Sequence, residues 1–570
     1  MGFVNFFMAV SPIVIVLAGI LAFKKPAMKV APVALVWTMA LAFTYFNVDG
    51  LAFKENVAVI DALLWKGIKE GLKIVFMVFG AFVILNTLKR TGAIEDVKNT
   101  VARVSGQDRR VQLIVVGMMV PIFLEGAAGA GAPAAIAAPF LVALGFDPIT
   151  AIAVALLGDA TPCSWGGAGL TTINGGAALV EAGISTNALN SAMVGRIHMF
   201  GVLIIPFIMV ALAFGRKGFK GIVPYLCYAG VTTGAVMFFL SNFVGPEVTS
   251  MGTGLIAILL SVLFVKVVPI NTPDEFKYAA PQGAKQRYSA FRAMSPYIYM
   301  LFLLPIVRYG VPAIWPETGF GFLCTFGYIF WVDCVIMLCG LLGAATLHVK
   351  KDELFEIFRM TAKNVVPVLI TMGSLLVMAY IMQSATTGMM SLIAGDIAAL
   401  AGMFYPAAAV LIGSLGSFIT GTGLGSNIMF AGMHTEAAAA LGMNPITVFA
   451  GQNAGGSLGN LICPNNTVAA CATVGEVGNE NKVMRKTLVA FGILLAEYMV
   501  LAMVYTLVLF PNFGMYTDSR GDDVPPGRLC VYDIFSIGGN HHENKKSRRR
   551  RHWPCGRPCG VYPGAGGHRG

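Results

Sequence analysis

Long apolar segments alternate along the chain with short charged loops. Apolar runs of about 18 residues or more span a bilayer as helices, so this pattern predicts an all-α polytopic membrane protein. An amphipathic run over 54–73 precedes one of the spans and is predicted to lie along the membrane surface. The uninterrupted predicted spans are 6–23, 29–46, 72–88, 190–214, 222–240, 251–268, 295–314, 321–348, 365–383 and 486–510.

The segment 121–169 differs from these spans because two polar, glycine-rich breaks interrupt it. One break runs from Glu125 to Pro133, and the other runs from Gly158 to Ser164 and contains Asp159. Non-helical backbone at membrane depth is tolerated only where protein buries it or where it lines a wet cavity. A carboxylate inside a membrane is costly and usually functional. The segment therefore predicts a helical hairpin over 111–144 and a broken helix over 148–172.

The same arrangement recurs 297 positions later (442 − 145), because Gly145-Phe-Asp-Pro-Ile-Thr150 reappears as Gly442-Met-Asn-Pro-Ile-Thr447. At this offset, a glycine-rich stretch around Thr422 matches the break at Glu125, and Gly455-Gly-Ser-Leu-Gly-Asn460 matches the break at Asp159. In transporters, paired interruptions in corresponding places indicate a binding site between repeats. The repeat predicts a second hairpin over 405–441 and a second broken helix over 445–473.

Loop charges predict that the two repeats have opposite orientations. The loop 89–110 carries six Lys and Arg residues, whereas its counterpart 384–404 carries none. The loop 474–486 carries three, whereas its counterpart 174–189 carries none. Because basic loops stay in the cytoplasm, equivalent loops lie on opposite sides. With the hairpins counted as re-entrant, each inverted repeat crosses the membrane five times. The two connector helices bring the total to about 12 transmembrane helices.

This reading divides the chain into four parts. Residues 1–215 form the first inverted repeat, and 216–294 form a two-helix connector with a cytoplasmic loop. Residues 295–511 form the second repeat. The tail 512–570 loses the apolar pattern and is rich in Gly, Pro, Arg, His and Cys, so it is predicted to be disordered or anomalous and is assigned no function.

Composition agrees with the membrane class. The chain is 56% hydrophobic and 12% charged, with a mean hydropathy of +0.73. Its net charge of +11 does not indicate nucleic-acid binding, because the Lys and Arg residues lie in loops between apolar runs. Ten cysteines are scattered without metal-ligand spacing, and no nucleophile–base constellation is present. We therefore expect neither an enzyme nor a cofactor or metal.

Four motifs resemble the L-lactate permease family of bacterial secondary carriers, and the resemblance extends over residues 1–512. They are Glu125-Gly-Ala-Ala-Gly-Ala-Gly-Ala-Pro-Ala-Ala-Ile-Ala-Ala-Pro139, Asp159-Ala-Thr-Pro162, Gly416-Ser-Phe-Ile-Thr-Gly421 with Ser426-Asn427, and Gly459-Asn460 followed by Ala469-Ala-Cys-Ala-Thr-Val-Gly475. Cys163 and Trp165 depart from the family pattern, which has smaller or simpler residues at these positions. This departure bears on the size of the substrate.

The resemblance implies an importer of L-lactate and related 2-hydroxy monocarboxylates, namely glycolate and D-lactate, by proton symport across the bacterial cytoplasmic membrane. By analogy with the wider ion-transporter superfamily, it also implies a homodimer in which a scaffold holds a moving transport domain. Its partners would be the monocarboxylate, protons and the lipid bilayer, without nucleic acid.

A monocarboxylate site needs hydrogen-bond donors and positive potential, which half-helix N-termini supply. Glycines allow the backbone to approach the ligand, and neutral polar side chains add contacts. Alternatively, these small residues only allow close helix packing. The candidate substrate-binding residues are Gly126, Gly129, Gly131, Thr161, Ser164, Thr422, Gly423, Ser426, Asn427, Asn453, Ser457 and Asn460.

Proton coupling needs a group that changes charge during transport. Glu125 and Asp159 are the main candidates, because burial disfavours the charged form of a carboxyl group. A protonated carboxyl beside lactate would avoid placing two negative charges together. His434, which has Glu436 nearby in the second hairpin, is a third candidate. The alternative role of each carboxylate is structural, within an ion pair.

Two other functions stay open. A sodium-coupled or exchanging organic-anion carrier could use the same scaffold, because unwound backbone carbonyls suit sodium and Asn465-Asn-Thr467 offers further oxygen ligands. A membrane enzyme or solute sensor would need a catalytic cluster or an added soluble domain, and the sequence contains neither.

Overall fold

The structure is a computed structural model that describes residues 3–46, 53–97, 107–127, 132–277, 287–306, 328–384 and 386–514. The predicted tail lies outside this part of the chain from residue 515 onward, as do Gly129 and Gly131. The regular secondary structure of the described residues is helical, which confirms the predicted all-α class.

The helices are numbered in chain order. Those before residue 270 are α1 (Phe3–Leu17), α2 (Ala27–Thr44), α3 (Phe53–Thr91), α4 (Arg109–Ile114), α5 (Val120–Ala127), α6 (Ala132–Ala143), α7 (Pro148–Gly158), α8 (Gly166–Ile173), α9 (Ala177–Glu181), α10 (Asn187–Phe214), α11 (Val223–Phe243) and α12 (Pro246–Val267). Those after it are α13 (Ala290–Pro305), α14 (Tyr328–Thr346), α15 (Lys351–Gln383), α16 (Met389–Ala401), α17 (Tyr405–Thr420), α18 (Gly423–Ala440), α19 (Pro445–Gly459), α20 (Pro464–Val474) and α21 (Glu480–Val504).

Many of these helices present apolar side chains outward. Eight helical segments of the described chain are long and apolar enough to cross a membrane. Large hydrophobic side chains such as Phe7, Val33, Leu259 and Val500 are more than half exposed on their surfaces. A soluble monomer rarely tolerates so much exposed apolar surface, so these faces are suited to lipid. The protein is therefore a multi-pass membrane protein.

The repeated Gly-x-Asx-Pro-Ile-Thr motif forms the same turn in both places. Gly145 and Gly442 adopt φ values of +87° and +64°, which favour glycine because it has no Cβ. The side chains of Asp147 and Asn444 then cap α7 and α19 by accepting a backbone N–H. Each capping residue precedes a proline at the first helical position, where its missing N–H is not needed. The motif thus ends one helix and starts the next.

Both helices that follow this turn stop in the protein interior. α7 ends at Gly158, and a 3₁₀ turn over Pro162–Trp165 leads into α8. α19 ends at Gly459, and α20 begins at Pro464. The intervening residues 159–165 and 460–463 are all buried. Both breaks are therefore enclosed by protein. From here on, the first break is the segment 159–165 and the second break is the segment 460–463.

Two long helix pairs pack antiparallel near these breaks. In the first pair, Asn86 and Arg90 of α3 bond to Thr361 and Glu356 of α15, respectively. In the second pair, His198 of α10 contacts Tyr498 of α21, and Tyr505, directly after α21, donates to the carbonyl of Arg196 in α10. The predicted surface run 54–73 is not a separate element, because it forms the first half of the continuous helix α3.

A buried ion pair lies at the start of α4. Its arginine joins α4 to the turn before α11 and to the segment after α12. Arg110 donates to both carboxylate oxygens of Asp108, at 3.0 and 2.7 Å, and both side chains are buried. Arg110 also donates to the carbonyls of Gly218 and Lys220 and lies over the ring of Phe276. The planar guanidinium thereby joins three segments in a way that a lysine ammonium cannot.

The variant Arg110→Lys is expected to lower the free energy of unfolding by about 1–3 kcal/mol, because buried hydrogen-bond acceptors lose their donor. Thermal unfolding of the purified protein in detergent measures this change. Arg90→Lys is the control, since the Arg90–Glu356 pair is about half exposed and such pairs contribute only ~0–1 kcal/mol. Equal shifts of the midpoint temperature in the two variants would contradict this account of Arg110.

Candidate functional site

The two breaks face each other inside the protein. Asn460, in the second break, donates from Nδ2 to the sulfur of Cys163 in the first. Ser457 Oγ donates to the backbone oxygen of Thr161 at 3.2 Å, and Ser164 Oγ donates to the backbone oxygen of Asn453 at 3.3 Å. The structure therefore brings together predicted site residues that lie almost 300 positions apart.

Glu125 and Asp159 form an acidic pair beside the first break, and each is 1% exposed. Their carboxyl groups lie within interaction range of each other and of the Cys163 thiol. A side chain on Gly166 would overlap Glu125 Oε1, so glycine leaves room for the carboxyl group. Within the described part of the chain, Glu125 Oε2 and both Asp159 oxygens lack a hydrogen-bond partner. Their lone pairs are available to a proton or a ligand.

The N-terminus of α18 approaches the same place. Thr422 caps this helix by accepting the backbone N–H of Gly425 at 3.0 Å. A Cβ on Gly423 would lie 3.3 Å from Cys163 Sγ and 3.3 Å from a side-chain carbon of Thr171. The N-terminal end of a helix carries partial positive charge. The second hairpin thereby directs that charge toward the first break, next to the acidic pair.

A hydrogen-bonded chain leads away from the first break. Ser164 Oγ lies 2.7 Å from His198 Nε2, and His198 Nδ1 lies 2.9 Å from the Tyr498 hydroxyl. All three side chains are fully buried. Trp165, a departure from the family pattern, is also buried and donates to Ser191 Oγ at 3.0 Å. Sequence reasoning missed the link to Tyr498, because a lone tyrosine in an apolar span gives no signal.

Asn453 and Asn427 connect the two broken regions further. Asn453 Nδ2 donates to Thr172 Oγ1 at 2.9 Å, and Thr172 Oγ1 donates to the Ser164 carbonyl at 2.6 Å. Asn427 Nδ2 donates to the Thr171 carbonyl at 3.2 Å. The α8 segment is thus held from two elements of the second half of the chain.

His434 lies in a separate buried network. Its Nδ1 lies 2.7 Å from the Tyr405 hydroxyl, and its Nε2 lies 2.8 Å from Gln452 Oε1. Gln452 Nε2 donates in turn to Ser426 Oγ at 2.9 Å. Glu436, its neighbour in the sequence, is exposed. Gln452 was not predicted, although a glutamine beside Asn453 in an apolar helix is a usable signal.

The remaining predicted residues divide into two groups. Gly126 packs against the backbone of Met251 in α12, where a side chain would overlap it, as expected for close helix packing. In contrast, Thr161 Oγ1, Asn453 Oδ1 and Asn460 Oδ1 are buried and have no hydrogen-bond partner in the described ranges. These three oxygens are open to a ligand at the breaks.

Comparison with known proteins places this architecture in a family. The family described as L-lactate permease matches residues 5–326 and 312–510. The L-lactate permease of Escherichia coli (strain K12) is 28% identical over 495 residues, which cover 80% of this chain and 88% of that protein. The L-lactate permease of Halalkalibacterium halodurans is 27% identical over 537 residues, which cover 89% of this chain and 97% of that protein.

Two further comparisons extend the picture. Glycolate permease GlcA of Escherichia coli (strain K12) is 26% identical over 76% of this chain and 85% of that protein. Among solved structures, the Alcanivorax borkumensis YdaH transporter aligns with a TM-score of 0.38 and 15% identity over 83% of this chain and 98% of that chain. Because the family match spans nearly the whole apolar part of the sequence, the chain belongs to the L-lactate permease family of membrane transporters.

Proposed function

We propose that this protein is a secondary active transporter that imports L-lactate and related 2-hydroxy monocarboxylates, including glycolate and D-lactate, by proton symport across the bacterial cytoplasmic membrane. The observation that carries this proposal is the buried Glu125–Asp159 pair beside the N-terminus of α18. The names of the related lactate and glycolate permeases support the substrate class. A homodimer is part of the proposal by family analogy.

The proposed topology consists of two inverted repeats, 1–215 and 295–511, joined by the connector 216–294. It has about 12 transmembrane helices and two re-entrant hairpins. Antiparallel packing supports the inversion, because α3 and α15 are equivalent at the 297-residue offset, as are α10 and α21. Elements related by a twofold axis in the membrane plane run in opposite directions where they meet.

A second contact supports the same axis. Cys163 and Asn460 also differ by 297 positions (460 − 163), and their side chains touch. Equivalent residues touch each other only where a twofold axis passes between them. In this proposal, the axis runs through the site, and each broken helix faces the opposite repeat. Binding at the repeat interface is the arrangement typical of secondary transporters.

Electrostatics explains why a proton would accompany the anion. A charged carboxylate 4 Å from a lactate carboxylate is repelled by about 4 kcal/mol at an effective dielectric constant near 20. A proton shared by Glu125 and Asp159 cancels one of the two negative charges of the pair and so lowers this repulsion. No Lys or Arg among the described residues forms an ion pair with either carboxylate. We propose that this pair loads a proton before the anion binds.

Around this pair, the substrate is proposed to contact Thr161, Ser164, Gly423, Asn453 and Asn460. Ser457, Thr422, Gly129 and Gly131 complete the proposed surface, whereas the role of Gly126 is helix packing. His434 is proposed to assist proton coupling through Gln452, which bonds Ser426 and lies 3.4 Å from Asn427 Oδ1. This network would transmit a change at His434 to the first turns of α18.

The proposal is tested by uptake of labelled L-lactate into liposomes that contain the pure protein. An inward proton gradient is imposed in one set and an inward sodium gradient in another. Uptake driven by protons alone is the expected result. Uptake driven only by sodium would instead favour the second function, since the open oxygens of Asp159 and Thr161 are also suitable sodium ligands.

A further inference from the structure

The second break and its surroundings carry a group of polar atoms of which the proposed function uses only Asn460. Asn465 and Asn466 lie in the first turn of α20 and are 2% and 5% exposed. Neither Nδ2 nor Oδ1 of Asn465 has a hydrogen-bond partner in the part of the chain that the structure describes, and the same holds for Asn466 Nδ2 and Ser417 Oγ. We call Ser417, Asn460, Asn465 and Asn466 the amide cluster.

The amide cluster surrounds the junction between the second hairpin and the second break. A side chain on Gly421, at the turn of this hairpin, would lie 2.6 Å from Asn465 Nδ2. The Gly421 N–H donates to the Ser417 carbonyl at 2.8 Å. A Cβ on Gly459 would lie 2.8 Å from the Ser417 side chain. Asn465 therefore lies against the turn of the hairpin, and Ser417 lies against Gly459, the residue before Asn460.

The start of α20 adds positive potential to this cluster. The helix has 11 residues and no side-chain hydrogen bond at its N-cap. Pro464 has no N–H. Among the described residues, the weakly accepting Cys463 thiol is the group that faces the backbone N–H groups of Asn465 and Asn466. Helix N-termini with unused N–H groups attract anions. The open Asn465 side chain is an independent observation that points to the same ligand.

The two breaks differ in chemistry in a way that assigns them different tasks. The first break carries two carboxyl groups, whereas the amide cluster is neutral and contains donors as well as acceptors. An anion is repelled by ionised carboxylates and is attracted by amide donors at a helix N-terminus. A buried amide that lacks its hydrogen bonds destabilises the protein, because it has lost its bonds to water without replacing them. A ligand that completes both ends of Asn465 would remove this destabilisation.

We propose that Asn465 is the residue that selects a 2-hydroxy carboxylate. Its Nδ2 donates to the substrate carboxylate, and its Oδ1 accepts a hydrogen bond from the 2-hydroxyl group. This assignment rests on the proposed function and deepens it, because it names the residue next to the second break that recognises the 2-hydroxyl group, while Glu125 and Asp159 keep the proton. Sites that bond a substrate hydroxyl discriminate strongly against the analogue that lacks it.

Exchange of labelled L-lactate in proteoliposomes, without any gradient, tests this assignment. Unlabelled L-lactate and unlabelled propionate each compete with the labelled L-lactate. The half-inhibitory concentration of propionate is divided by that of L-lactate to give a selectivity ratio. Propionate has the carboxylate but lacks the hydroxyl. In Asn465→Leu, which has a similar shape, lactate loses two contacts and propionate loses one. We therefore expect the ratio to fall by about tenfold, the equivalent of one hydrogen bond of roughly 1.4 kcal/mol.

Two further variants sharpen the test. Asn465→Asp keeps an acceptor but loses the amide donor, so it is expected to weaken lactate and propionate alike and to preserve their ratio. Asn56→Leu is the matched control, because Asn56 is also 2% exposed with an open Oδ1 but bonds to Ala42 in the first repeat. If Asn465→Leu is not recovered folded, the smaller Asn465→Ala, which also lacks both polar atoms, provides the same comparison.

The outcomes separate the two proposals. An unchanged ratio in a folded, exchanging Asn465→Leu or Asn465→Ala protein would overturn the assignment of Asn465 and leave lactate transport standing. A tenfold fall in the Asn56→Leu control would also overturn it, since a distant buried amide would then have the same effect. A wild-type protein that exchanges neither lactate nor glycolate would instead refute the proposed function.

Discussion

Replacing Glu125 by glutamine is expected to lower proton-driven lactate uptake by about 100-fold, which corresponds to roughly 3 kcal/mol. Glutamine keeps the size and hydrogen-bonding capacity of the side chain, but it cannot release a proton. Asp159 then stands alone, without the like charge of Glu125 that makes the pair hold a shared proton, so lactate uptake is no longer coupled to proton binding. Lactate exchange in the absence of a gradient needs no proton turnover, so it should persist within a few-fold of the wild type.

The variant Asp159→Asn is expected to behave in the same way, because both carboxyl groups belong to one buried pair. Glu436→Gln is the control, since Glu436 lies exposed on α18 and its replacement should leave uptake unchanged. Uptake is measured in proteoliposomes under an inward proton gradient. Full proton-driven uptake in both Glu125→Gln and Asp159→Asn would refute the proposed coupling site. Loss of exchange as well as uptake would instead identify an anion ligand or a structural role.

The positions of the helix ends around the breaks followed from local chemistry. Gly145 and Gly442 end helices because they adopt positive φ, and Asp147 and Asn444 start new ones because their side chains accept a backbone N–H. These are interactions between near neighbours in the sequence. A reader of the sequence can therefore place α7 and α19 to within a few residues without knowing the tertiary structure.

The division of α3 could not be predicted in the same way. The run 54–73 has the charge pattern of a surface helix, and 72–88 has the apolar pattern of a span. In the structure, both lie on one helix that packs along α15 through Gly67 and Gly71, whose missing side chains let α15 approach. Whether an amphipathic run lies on the membrane or against another helix depends on a partner that is about 300 residues away.

The candidate site shows the same limit. Carboxylates and asparagines stand out in apolar segments, so Glu125, Asp159 and Asn460 were identified from the sequence. Tyr498, which bonds to His198, comes from a helix 300 residues away, and Gln452, which bonds to His434, comes from the next helix. Only the fold determines which neutral side chains meet, and therefore which of the buried amides keep open ends.

Replacing Gly158 by alanine is expected to lower transport by about 100-fold, because a displacement of about 1 Å at a reacting or binding group can have an effect of this size. A Cβ at Gly158 would overlap the carbonyl oxygen of Gly117 in the preceding hairpin helix. Since backbone cannot rotate away as a flexible side chain does, α7 must shift. Asp159, the next residue, would move with it and lose its alignment with Glu125.

The equivalent residue 297 positions later, Gly455, is expected to give the same result, because its Cβ would overlap the carbonyl oxygen of Val410. Gly492→Ala is the matched control: this glycine lies within α21, and nothing is found within 4 Å of its added Cβ. Alanine there should be neutral or should stabilise the helix by about 0.5–1 kcal/mol.

Proteoliposome uptake and thermal unfolding are measured on all three variants. If Gly158→Ala and Gly455→Ala transport as well as Gly492→Ala, close backbone contact at the breaks is not what holds the acidic pair and the amide cluster in register. If only one of them is impaired, the two breaks do not share the structural role that their equivalent positions imply.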